Sequence, residues 1–68
     1  MRVVYDKQAD AAYIYLMDKK EKGQVKKTIT MNENVILDFD ADKKLIGIEI
    51  LSASKIVPKQ AVAAMQTE

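Results

Sequence analysis

Asp38, Asp40, Asp42 and Glu49 occupy positions 1, 3, 5 and 12 of the segment Asp38–Glu49, with the aliphatic Leu45 at position 8. That is the ligand spacing of a calcium-binding EF-hand loop, since calcium gathers about six to eight hard oxygens and clustered carboxylates supply them. Two features oppose it. Lys43 stands where the sharp turn requires glycine, and the flanking residues read as strands where such a loop joins helices. An ordinary hairpin with an acid-rich turn is the simpler account, and calcium-type metal binding by the hairpin 38–49 is the alternative function. A second acidic set, Asp6, Asp10 and Asp18, could do general acid–base work if its environments split the pKa values. Turns use Asp for local backbone bonding, however, and no substrate-positioning feature accompanies these three.

Other chemistries lack their parts. There is no histidine and no cysteine, which removes the usual general base, the commonest transition-metal ligand and the thiol nucleophile together. Ser52 and Ser54 have nothing to activate them, because Lys55 is adjacent on the chain and badly placed as a base. Gly23 and Gly47, the only glycines, form no phosphate-cradling loop. The pairs Lys19-Lys20, Lys26-Lys27 and Lys43-Lys44 are scattered through turns and a strand start, as on a solvated surface. Tyr13 and Tyr15 share a strand face and could stack on bases. Packing under a C-terminal helix or in a contact between copies suits them better. No catalytic, cofactor-binding or metal-ligating residue is assigned, and the chain reads as a non-enzyme.

The elements that must position these residues belong to one small domain spanning residues 1–68. A chain this short buries only about 60% of the surface its unfolded form exposes. No disulfide can reinforce it, so a homo-oligomer or a small partner protein is expected to add burial. Eleven Lys and Arg against ten Asp and Glu give a net charge of +1, without the basic footprint of a nucleic-acid binder. No apolar run suits a signal peptide or reaches the roughly 20 residues of a membrane span. A cytoplasmic protein is expected.

Period-two alternation dominates, which means strands. Arg2–Tyr5, Ala12–Met17, Gln24–Met31, Val35–Asp40 and Leu45–Ile50 are the candidates, separated by turns at 6–11, 18–23 and 41–44. In the second strand Ala12, Ile14 and Leu16 oppose Tyr13, Tyr15 and Met17. In the third, Val25, Ile29 and Met31 point inward, and Lys27 among them marks a strand beginning near an edge. The even-length loop Ala41–Lys44 sets Asp40 opposite Leu45 and Asp38 opposite Gly47. That register gathers Val35, Leu37, Phe39, Ile46, Ile48 and Ile50 on one face. With Ile14 and Leu16 these residues form the expected core. Ser52 can cap a helical turn through Ile56, and Pro58 suits the first position of a helix through Met65. Its stripe of Val57, Ala61, Ala64 and Met65 is small and flexible, and it is expected to serve association more than the internal core. The fold class is α+β: an antiparallel β-meander of about five short strands with a short C-terminal helix.

Three separated blocks carry a family resemblance: Tyr5–Ile14, Val35–Asp40 and Leu45–Lys55. Together they resemble the domain-of-unknown-function family 2283, small bacterial and archaeal proteins, over roughly residues 3 to 57. Members usually carry glycine at the turn position held here by Lys43. The resemblance implies no catalytic residue and no established activity. Some members are thought to be encoded beside small toxin-like proteins, which implies an antitoxin-like or partner-binding role. The function expected is a non-catalytic protein-interaction domain.

Overall fold

In the computed structural model, which describes residues 1–17 and 23–67, each period-two run becomes a strand. These are β1 (Arg2–Asp6), β2 (Ala11–Tyr15), β3 (Lys27–Thr30), β4 (Val35–Phe39) and β5 (Leu45–Leu51). The helices α1 (Ala53–Ile56) and α2 (Lys59–Ala64) follow, and a two-residue strand β6 (Gln66–Thr67) ends the fold. All six strands form one sheet in the order β3-β4-β5-β2-β1-β6. The class is α+β and the pairing largely antiparallel, as expected.

The order differs from a simple meander. β2 pairs antiparallel with β5 and not with β3, setting Ala12 opposite Ile50 and Ile14 opposite Ile48. The strands richest in apolar residues thereby take the centre, where both edges are paired. Polar β3, shorter than the 24–31 expected, is left at an edge. At the other edge β6 lies parallel to β1, a sixth strand too short for alternation to reveal.

The β4–β5 hairpin keeps the parity set by its loop: Leu37 faces Ile48, Asp38 faces Gly47 and Ile36 faces Glu49. Beyond Asp38 the ladder shifts, and Phe39 pairs with Leu45. Asp40 is therefore not opposite Leu45, and Ile46 is the extra residue of a β-bulge. Contrary to expectation, Ile46 turns away from Ile48 and Ile50 and lines a small cavity with Tyr13, Tyr15, Met17 and Gln24. The tip explains the shift. The Asp40 carboxylate accepts the Asp42 and Lys44 amides, each at 2.9 Å, and Lys43 adopts a left-handed φ of 64°. The turn therefore closes on Asp40 and Lys44 around the odd-length loop 41–43, and the extra residue Ile46 restores the pairing of Asp38 with Gly47.

The main core cluster lies on one face, where Ala12, Ile50 and Ala53 are buried and Tyr5, Ile14, Ile48, Val57 and Met65 pack against them, while Val4 and Ile46 are buried outside it. The expected core and inward-facing positions need three further corrections. Leu16 is 37% exposed, because β2 ends at Tyr15. Val35, Leu37 and Phe39 are only half-buried, since both helices sit nearer the other end of the sheet. Met31, expected inward, is 63% exposed beyond the end of β3. The C-terminal stripe is divided between the core and the surface. Val57 and Met65 close over this chain's own core, while Ala64 is exposed. Pro58 sits at the N-cap of α2, one residue before the position assigned to it.

Candidate functional site

Asp10 is a junction that alternation cannot disclose. It closes the β1–β2 turn in the left-handed region, with φ 50°. There its carbonyl accepts the Ala53 amide at 2.8 Å. One carboxylate oxygen accepts the Ser54 amide at 3.0 Å and the Tyr5 hydroxyl at 2.7 Å. The other accepts the Ser54 hydroxyl at 2.7 Å. Asp10 thus caps α1 from outside the helix, satisfying amides that a helix start leaves orphaned. Ser52, expected to cap, adopts φ 54° and makes no side-chain capping bond. Bonds from the Ser54 hydroxyl, then the Tyr5 hydroxyl, favour the ionised carboxyl and lower its pKa. The same bond raises that of Tyr5. The partners lie 44 residues apart, and the one sequence signal for them is that both fall inside the blocks carrying the family resemblance.

The opposite sheet face carries Tyr13 and Tyr15, which therefore do not pack beneath the helices. Their ring centroids lie 4.6 Å apart, and the Arg2 guanidinium sits 4.4 Å above the Tyr15 ring, a cation–π contact. Tyr13 reaches across β5 to donate its hydroxyl to Asp38 on β4. Thr28 on β3 donates to the other carboxylate oxygen at 2.9 Å. The ring can cross only because position 47 is glycine: a Cβ there would overlap the Tyr13 hydroxyl and ring. Burial, then the hydrogen bond to Asp38, pushes the Tyr13 hydroxyl far above the usual tyrosine pKa. It is a fixed donor, not an acid or base at neutral pH.

These bonds also dismantle the calcium spacing. Asp38 is engaged by Tyr13 and Thr28, Asp40 by its own turn, and Glu49 lies opposite Ile36, away from the tip. Among the described residues no three carboxylates gather as a cation site. Asp6 accepts the Gln8 and Ala9 amides at 3.1 and 3.2 Å, a local turn device. Asp18, Lys19 and Lys20 lie outside the described residues. Lys27, Ile29, Phe39, Asp40 and Lys43 line an open hollow of about 260 Å³. Its lysines are exposed and its one acid is Asp40, already held by the turn.

The remaining surface feature is β3. All four of its residues are exposed, and Ile29 is 41% exposed on the face opposite Thr28 and Thr30. Nothing pairs with its outer side among the described residues.

Fold and surface together define a small sheet domain with a helix-capped face, an aromatic face and, among the described residues, an exposed edge strand at β3. The chain belongs to the family described as "Protein of unknown function (DUF2283)", whose model matches residues 2–54. The match takes in β1 to β5 and the Asp10–Ser54 junction, and stops short of α2 and β6. The chain is also similar to an uncharacterized protein, MJ0789, of Methanocaldococcus jannaschii. The two are 36% identical over 56 residues, covering 82% of this chain and 44% of that protein. The match thus spans less than half the length of that relative. No solved structure matches it. No helix among the described residues is long and apolar enough to cross a membrane.

Proposed function

We propose that the chain is a small non-catalytic protein-interaction domain of the cytoplasm that works by self-association through its open sheet edge. The observation that carries this reading is β3: an edge strand, exposed along its whole length, with Ile29 half-solvated at its centre. Unpaired edges invite strand addition from another chain. The thinness of the core supports it further, because the largest apolar residues at the β3–β4 end have no helix above them. The composition, without histidine or cysteine, supports a non-catalytic role. The antitoxin-like role that the family resemblance implies is the same reading with a small toxin-like protein in place of the second copy.

Light scattering tests it. The wild-type mass should exceed the 7.7 kDa of one chain, and Ile29→Lys, which puts a charge at the centre of the edge, should return it to one chain. A wild-type protein that stays at one chain's mass at high concentration overturns the reading.

A further inference from the structure

We infer that two copies of the chain join β3 to β3, antiparallel, across a two-fold axis at Ile29, so that their two sheets run on as one. This rests on the self-association reading and specifies its geometry. Met31 donates its amide to the Val35 carbonyl at 2.8 Å. Antiparallel ladders alternate, so Ile29 also turns its N–H and C=O toward β4, while Thr28 and Thr30 turn theirs outward. Two outward-facing residues then flank one inward-facing residue, an arrangement complementary to itself. Thr28 exchanges both backbone bonds with Thr30 of the second copy, Thr30 does the same with Thr28, and Ile29 meets Ile29 in the close, non-hydrogen-bonded pair between them.

Neighbouring registers fail on groups already in use. Moving the axis to Thr28 requires the Lys26 amide, which is bonded to the Phe39 carbonyl at 2.8 Å. Moving it to Thr30 requires the Asn32 amide, which faces the Val35 carbonyl at 3.4 Å. The side chains agree with the axis at Ile29. Lys27 faces Met31 of the second copy, laying its aliphatic stem along a residue that is 63% exposed in the single chain. The Lys26-Lys27 start of each strand comes alongside the Asn32-Glu33 turn of the other, and no lysine faces a lysine. A net charge of +1 per chain offers little repulsion to pairing.

Because the chain has no cysteine, single thiols can map the axis without competing partners. Ile29→Cys should form a disulfide-linked dimer on mild oxidation, since facing residues of a non-hydrogen-bonded pair have Cα atoms about 4.5 Å apart. Met31→Cys alone should stay largely unlinked, because its two copies would lie about 13 Å apart along the strands. An equal mixture of Lys27→Cys and Met31→Cys should link across the pair. Thr30→Pro, which removes an outward amide with no bonding partner among the described residues, should keep a folded circular-dichroism spectrum and lower the mass to one chain. If the wild type is dimeric by mass but Ile29→Cys does not link, or Met31→Cys links as readily, this interface is wrong and self-association uses another surface. If the wild type is one chain at every concentration, both the interface and the self-association reading fall.

Discussion

Asp10 holds a left-handed backbone conformation in which its carbonyl and carboxylate accept the Ala53 and Ser54 amides at the start of α1. Its pKa is lowered in the fold, by the Ser54 hydroxyl first and the Tyr5 hydroxyl second. The sign follows directly. A carboxyl with a depressed folded pKa adds stability that is fully present above the ordinary value near ~4 and is lost as pH falls through the folded value. Asp10→Asn removes that titration and weakens the cap. Its melting temperature should lie below wild type at neutral pH, and the gap should narrow as pH drops from about 5 toward 2. A gap that stays constant over that range would show that Asp10 does not act through its charge. Tyr13 and Gly47 form a second residue-scale unit. Gly47→Ala should cost about 1–3 kcal/mol, as overpacking does, and that cost should vanish in a Tyr13→Ala background. Denaturant titration of the four proteins of that cycle checks it. The carboxylates and tyrosines are visible in the sequence as residue types. The partners of Asp10 on α1 and of Tyr13 on β4 are not, because those contacts join segments 44 and 25 residues apart along the chain.

At the scale of elements, the β4–β5 hairpin was the most legible feature, since loop parity alone places Leu37 opposite Ile48 and Ile36 opposite Glu49. The bulge escaped that argument because it arises from side-chain bonding at the tip, where Asp40 folds the turn around its own carboxylate. Lys43 then occupies a left-handed conformation in which an L side chain crowds the backbone. Lys43→Gly should raise stability by about 0.5–1 kcal/mol, the relief of strain being partly offset by glycine's greater freedom when unfolded. A shift of the urea midpoint to higher concentration, with an unchanged slope, is the expected result. An unchanged or lower midpoint would mean that the turn carries no strain. Ser52 and its helix illustrate the same boundary of legibility. A short helix after Leu51 is foreseeable from the change in periodicity, whereas its cap comes from Asp10.

The whole molecule measures 34 × 25 × 18 Å, a slab in which the helices cover one end of one sheet face. The C-terminal segment belongs to that cover: Met65 packs on the core, and β6 pairs with β1. Deleting residues 58–68 should therefore lower the denaturant midpoint and speed amide exchange in β1. It should leave self-association intact in whatever fraction remains folded, because β3 is at the opposite edge. A folded truncated chain of reduced mass would move the association surface to the helix. The sequence by itself determined the α+β class, the positions of five strands, the inner face of the central hairpin and the family, because alternation and parity are local rules that each segment obeys alone. Tertiary structure decided the pairing of β2 with β5, the side to which Ile46 turns, the cap on α1 and the parallel β6. Those choices depend on which distant surfaces bury most and which orphaned amides find an acceptor, and no local period records either.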